Sequence, residues 1–301
     1  MSQTGARTFL VEGVVIPAKP IAAGLHVVAT PIGNLGDVTL RALQTLAAAD
    51  LIACEDTRVT AVLLRRYCIE AKLTPYHEHN AARQRPKILM ALAEGKSVAL
   101  VSDAGTPLIS DPGFRLAAEV RTAGHPVIPI PGASALLAAL VASGLPTDAF
   151  LFAGFLPPKT VARKKRLAEL AAIPATLVFF ESPQRLAASL ADIAAVLGEA
   201  RPAAVARELT KAFETIRTGT LAELAAAYGG EATPRGEIVV VVGPPGEAAT
   251  SADDADALLA ELLATKPVSE AAAEAAAMTG LPRRDLYRRA LALKAGEDGA
   301  D

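Results

Sequence analysis

The chain has 301 residues, enough for one large domain or two to three ordinary ones. Hydrophobic residues make up 51% and aromatics only 4%, with no Trp, so a core must be built from Ala, Val, Leu and Ile. A formal net charge of −2 excludes a protein that is one basic field for nucleic acid; any such contact must come from local patches.

No apolar run reaches the roughly 18 residues that a membrane span needs. The N-terminus carries Glu12 in its apolar part and no cleavage-like site, unlike a secretory signal. The expectation is a soluble cytoplasmic protein, away from membranes, with a loose extension over residues 1–24. Two cysteines, Cys54 and Cys68, cannot form a disulfide framework. Cys54 closes the apolar run LIAC and is expected to be a buried free thiol, as a reducing compartment allows.

In chain order, LHVVA (25–29) predicts a strand running into Thr30-Pro31-Ile32-Gly33-Asn34. Helical spacing follows over 39–49. LIAC (51–54) is the next strand; it runs into Glu55-Asp56-Thr57-Arg58 and a helix over 59–67. LTPY (73–76) leads into His77-Glu78-His79-Asn80 and a helix over 85–93. VALV (98–101) is a buried strand that breaks into SDAGTPLISDPG, a run dense in Ser, Asp, Gly and Pro. Taken alone, that loop is equally a turn with Ser110 or Asp111 capping a helix through Glu119. VIPI (127–130) is followed by Pro131-Gly132-Ala133-Ser134 and an Ala/Leu helix. Strand, polar loop and helix alternate throughout, which predicts a mostly parallel sheet with helices on its faces.

Leu145-Pro146-Thr147-Asp148 marks a boundary, and the pattern restarts. FLFAGF (150–155), TLVFFE (176–181), AAVAREL (203–209), a strand near 215–218 and EIVVVVG (237–243) predict a second α/β domain. The domain plan is an extension (1–24), an N-terminal α/β domain (25–145), a C-terminal α/β domain (146–243), a linker (244–254) and a small helical tail domain (255–301). The tail contains helix, turn and helix, with Ser269 as an opening cap and Gly280 as a stop. On spacing, an ordinary helical hairpin fits it better than a DNA reader.

The sequence has no G-x-G-x-x-G, no G-x-x-x-x-G-K-[ST] and no G-x-S-x-G, which disfavours ordinary dinucleotide sites, P-loops and the usual α/β-hydrolase. His77 and His79 have no third ligand at metal-type spacing, so no metal site is expected. What remains is four polar loops at strand ends, where open α/β sheets bind ligands. Their amides, the Asp103 carboxylate, Gly105 for close approach and the Ser134 hydroxyl suit a zwitterionic, adenosine-like ligand.

The blocks VVATPIGNLGDVTLRA, IACEDTR, SDAGTPLISDPG, PGASA, FLFAGFLPPK, FFESPQR and ARELTKAFE, in this order, resemble the bacterial ribosomal RNA small-subunit methyltransferase I family of the tetrapyrrole-methylase-like superfamily. The resemblance spans residues 25–243, and the tail resembles the family's helical domain. It implies two α/β domains, S-adenosyl-L-methionine as cofactor, a homodimer, and 2′-O-methylation of a cytidine in 16S rRNA of the small ribosomal subunit. The cofactor would lie against Pro31, Gly33, Asp103, Gly105, Thr106, Ala133 and Ser134, with second-domain backbone near Phe155 and Ala206 closing over it. SDAGTP replaces the GDP-type run of tetrapyrrole methylases proper, which favours the RNA branch. Rival readings are small-molecule methylation and a non-catalytic RNA-binding factor.

For the reaction, Glu55, Asp56 and His79 are the candidate bases. Glu55 and Asp56 are adjacent, so only one faces the cleft. Arg58 is a candidate phosphate contact. The plainer alternative makes Asp56 a helix cap and pairs Glu55 with Arg58. Lys164 and Lys165, in a basic run with Lys159, Arg163 and Arg166, are candidate RNA contacts, as is the run from Arg283 to Lys294.

Overall fold

The computed structural model describes residues 7–109, 114–246, 252–279 and 281–297. Residues 1–244 form one compact unit and 245–301 another.

The first unit opens with strands β1 (Thr8–Val11) and β2 (Val14–Pro17), paired antiparallel. Glu12 and Gly13, at φ +48° and +83°, form the tight turn between them. Phe9 is buried among Leu43 and Leu46, and Leu10 N donates to Tyr67 O at 2.8 Å. The segment expected to be a loose extension is therefore tied down, because its two apolar runs flank a turn and reach a core.

Five parallel strands follow: β3 (Gly24–Val28), β4 (Leu51–Cys54), β5 (Leu73–Pro75), β6 (Ser97–Val101) and β7 (Val127–Ile130). Their order is β5-β4-β6-β3-β7. β3 and β6 are buried throughout, as largely apolar strands are in a sheet covered on both faces; their buried polar residues are bonded, His26 to Ala22 O and Ser97 to Asp50. The helices between strands are α1 (Leu40–Ala48), α2 (Thr57–Arg66), α3 (Ala81–Ala93), α4 (Phe114–Thr122) and α5 (Ala135–Ala142). The expected caps Ser110 and Asp111 lie outside the described residues. From β3 the chain moves toward β4; from β6 it moves the other way, to β7. The β3/β6 border is thus the switch point, where loops diverge and leave a crevice.

The second sheet has strands β8 (Phe150–Phe155), β9 (Thr176–Glu181), β10 (Pro202–Arg207), β11 (Thr215–Thr220) and β12 (Ile238–Val242), in the order β11-β10-β12-β9-β8. Only β8 and β9 pair in parallel; the other pairs are antiparallel. The sheet is mixed because β10 and β11 are joined by residues 208–214 with no crossover helix, which only an antiparallel pair permits. Helices α6 (Thr160–Leu170), α7 (Leu186–Leu197) and α8 (Leu221–Gly230) accompany it. Leu167, Leu186, Leu190 and Leu224 pack with Phe179 and Val240 in one cluster. In another, Ala139 and Leu140 of α5 pack with Val178, Ala204, Val239 and Val241. Helix α5 thus joins the two sheets within the first unit.

The second unit has helices α9 (Ala252–Leu263), α10 (Val268–Thr279) and α11 (Arg283–Glu297), around Ala255, Leu259, Ala275, Leu286 and Ala290. Ser269 lies inside the first turn of α10 rather than ahead of it, and Gly280 lies outside the described residues.

Phe179 is 1% exposed at the centre of β9. Phe179→Ala should lower stability by about 3–5 kcal/mol, measured by urea unfolding.

Candidate functional site

Four strand-end loops of the first sheet are stitched together by short bonds. After β3 and β6, Thr30 and Gly105 exchange backbone hydrogen bonds, N to O at 2.9 and 3.0 Å. Thr30 Oγ1 adds a donation to Ser102 O at 3.3 Å. Gly105 sits at φ +75°, and a Cβ there would meet Ile32 Cγ2 at 3.3 Å, so both the conformation and the space favour glycine. After β4, the Asp56 amide donates to Asp103 Oδ1 at 2.9 Å. Across to β7, Thr106 Oγ1 donates to Ala133 O at 3.2 Å. Ser134 is the N-cap of α5, its hydroxyl facing the Leu137 amide.

Between these loops and the second sheet lies a cavity of about 440 Å³. Ile32, Glu55, the segment 103–106 and Ser134 line it from the first sheet. Phe155, Phe180, Glu181, Leu209 and the stretch Gly236–Val239 line it from the second. Phe180 makes edge contacts with Phe152 and Phe155, ring centroids 4.8 and 5.7 Å apart. Glu181 is buried; it accepts from Ser182 N at 2.8 Å and from Ser189 Oγ at 2.5 Å, and it pairs with Arg185 at 3.2 Å. Gly236, at φ +97°, has no room for a Cβ, which would fall 2.1 Å from Glu208 Oε1. The polar wall carries four carboxylates, Glu55, Asp103, Glu181 and Glu237; among the described residues no Lys or Arg lines it.

A second cavity, of about 290 Å³, adjoins the first. The two share Ile32, Asp103, Ala104 and Glu237. Pro31 and Gly33 line this second cavity, not the first.

The remaining expected residues divide. Glu55 faces the first cavity, whereas Asp56 does not line it. Asp56 caps α2, accepting from Arg58 N at 2.8 Å, and binds the Arg58 guanidinium at 2.6 Å. Those bonds, first the side-chain one and then the backbone one, hold its carboxyl down at about 2 against an ordinary 3.8. His79 is exposed, stands edge-on to His77 and lines neither cavity. Ala206 is buried in the packing around α5, not in the cavity wall. On α6, Lys164 and Lys165 are exposed and outside both cavities. The basic run there is partly spent: Arg163 is buried against Asp192 at 2.6 Å, with Lys164 at 3.5 Å from the same carboxyl. In the second unit, Arg289 pairs with Asp256 and Arg288 with Asp285, leaving Arg284 and Lys294 exposed on α11. Among the described residues, no group of three or more His, Cys, Asp or Glu is placed to hold a metal ion.

Sequence reasoning singled out neither Glu181 nor Gly236 nor Glu237. Their signal was an acidic residue ending one apolar strand, TLVFFE, and a Gly-Glu opening another, GEIVVVV.

A family model described as Tetrapyrrole (Corrin/Porphyrin) Methylases matches residues 24–225, which take in the whole first sheet with its strand-end loops and the second sheet as far as β11. The structure of uroporphyrin-III C-methyltransferase from Thermus thermophilus, complexed with S-adenyl homocysteine, has the same fold. Its TM-score is 0.52 at 19% identity, covering 73% of this chain and 97% of that one. The fold and crevice therefore define a protein of the tetrapyrrole methylase class.

Within that class, a model described as the RsmI C-terminal HTH domain matches residues 249–294. The ribosomal RNA small subunit methyltransferase I of Mesorhizobium japonicum is 61% identical over 93% of this chain and 95% of its own. That of Erythrobacter litoralis is 54% identical over 92% and 98%. The chain belongs to the ribosomal RNA small subunit methyltransferase I family.

Because its folded pKa is depressed, Asp56 contributes stability that is complete above pH 3.8 and is lost as pH falls through about 2. An NMR titration of the Asp56 carboxyl should show a midpoint near 2, moving toward 3.8 in Arg58→Ala. A midpoint near 3.8 in the unaltered protein would contradict the pairing.

Proposed function

We propose that this protein uses S-adenosyl-L-methionine to methylate the 2′-hydroxyl of a cytidine ribose in 16S rRNA of the small ribosomal subunit, acting in the cytoplasm as a homodimer. The observation that carries the reading is the first cavity: acidic, free of Lys and Arg among its described lining, and built at the switch point of the parallel sheet. Its volume falls within the roughly 300–1,000 Å³ usual for small-molecule sites.

The lining fits the methyl donor. Carboxylates favour a ligand carrying an ammonium and a sulfonium; Phe155, Phe180, Leu209 and Ile238 offer an apolar wall for a purine. Asp103 and Ser134, with the backbone of Gly105 and Thr106, would hold its polar groups, and Ala133 supports them by accepting from Thr106. Pro31 and Gly33 would border the site from the adjoining cavity, and Ala206 would back it from the core. When bound, the donor supplies a methyl group made electrophilic by its positively charged sulfur.

The ribose hydroxyl is a weak nucleophile, so its proton needs an acceptor as the carbon–oxygen bond forms. Glu55, facing the cavity, is the acceptor in this reading. Asp56 fits the task poorly, since a carboxylate held at about 2 by Arg58 is a weak base. His79 has no place at the cavity and drops behind Glu55. Arg58, whose side chain is 89% exposed, and Lys164 and Lys165 on α6 would contact RNA phosphates. The division into α/β domains 25–145 and 146–243, with a helical tail from 255, is the modular plan that goes with this reading.

The direct test is mass mapping of ribose methylation on small-subunit RNA incubated with and without the protein. One cytidine should gain a 2′-O-methyl group only when the protein and the donor are both present. Glu55→Gln should cut turnover by about 10²–10⁴-fold while donor binding persists. Asp56→Asn, which preserves the cap, should lose less.

A further inference from the structure

Apart from the bordering Pro31 and Gly33 and the residues shared with the first cavity, the second cavity is not taken up by the donor. We infer that it receives the acceptor: one pyrimidine nucleoside turned out of the RNA strand, with its ribose against the wall shared with the first cavity. The inference rests on the methyl-donor reading of the first cavity.

Position is the first argument. Ile32, Asp103, Ala104 and Glu237 face both cavities. A methyl group passing between two molecules needs the reacting atoms about 3–3.5 Å apart, so donor and acceptor must meet across a thin boundary. The segment after β4 also borders both spaces: Glu55 faces the first, while Val59 and Thr60 face the second.

Size and lining are the second. At about 290 Å³ the cavity lies at the bottom of the small-molecule range, suited to one nucleoside and too small for a tetrapyrrole macrocycle. Val59 and Val62, three residues apart on α2, are 43% and 48% exposed, and with Leu35 and Leu63 they make an apolar face for a base. A base displaced from its stack in RNA needs such a face. Arg58 immediately precedes Val59 in the same helical turn.

The third is the way the far wall is built. Lys211 lies over Gly33, where a Cβ would come 2.4 Å from its Cγ. Its Nζ is 2.7 Å from Glu208 and 2.8 Å from Glu237. Two carboxylates on one ammonium leave no net positive charge, so Lys211 is not a phosphate site; it is a positioning residue that fixes Glu237 at the shared wall. The loop carrying it is strained: Glu208 and Thr210 have φ of +53° and +66°. Asn34 N donates to Thr210 Oγ1 at 3.2 Å, tying this loop to the one after β3. Strain of this kind persists where the surroundings over-determine it, and it gathers at ligand sites.

The test fills the cavity from its exposed side in the full-length protein. Val62→Trp should keep donor affinity within about twofold, measured by calorimetry with S-adenosylmethionine, which also reports folding. Its kcat/KM for small ribosomal subunits should fall at least about 100-fold, whereas Val62→Ala should lose less than about tenfold. Val59→Trp should repeat the effect. If Val62→Trp and Val59→Trp methylate within about threefold of the unaltered protein, the cavity is not the acceptor pocket. If donor affinity falls in parallel with turnover, the cavity belongs to the donor, and the inference is likewise overturned. If the unaltered protein binds the donor but transfers nothing to ribosomal subunits, the proposed function itself fails and takes the pocket with it, an outcome the unaltered control identifies separately.

Discussion

Two backbone hydrogen bonds between Thr30 and Gly105 hold the site open in one shape. They cross the switch point, where the loops after β3 and β6 leave the sheet in opposite directions. Without that pairing the two loops would be separate surface segments, their backbone groups left to water. With it, Ile32 from one loop and Asp103–Thr106 from the other become parts of one wall. Gly105 allows the pairing because its backbone adopts a positive φ and its missing Cβ clears Ile32.

Asp103 shows how a single carboxylate serves structure and site together. One of its oxygens receives the Asp56 amide, which locks the loop after β4 to the loop after β6. Asp56 in turn uses its side chain to cap α2 and clamp Arg58. The acidic pair Glu55-Asp56 is thereby divided: one residue is turned to the cavity and its neighbour is occupied by the helix. Adjacent residues in an extended segment point to opposite sides, so the division follows from the backbone.

Much of this was legible in the amino-acid order. The strands that end in Gly, Asp, Ser and Pro, the parallel first sheet and the loops that line the crevice follow from apolar runs and turn residues. The choice between Glu55 and Asp56 did not, because both outcomes satisfy the same local pattern until the Asp103 bond is seen. The β1–β2 hairpin was missed although Glu12-Gly13 between two apolar runs is a turn signal. The antiparallel pairs of the second sheet were hidden because strand propensity does not carry direction; only the missing helix between β10 and β11 does. The family resemblance, not the local pattern, put second-domain backbone near Ala206 at the donor; strand alternation turns the Ala206 side chain into the packing around α5. Glu181 escaped notice because a buried acid is identified by its partners, Ser189 and Arg185, which lie further along the chain.

Helix α5 follows β7 of the first sheet but rests its Ala139 and Leu140 on Val239 and Val241 of the second. A hinge at residues 145–148 that swung the sheets apart would wet that apolar seam. Gross parting of the halves is therefore costly, and a ligand entering the crevice meets side chains such as Phe155, 57% exposed, before it meets the seam. An inhibitor that fits the closed crevice therefore needs no energy to prise the sheets apart.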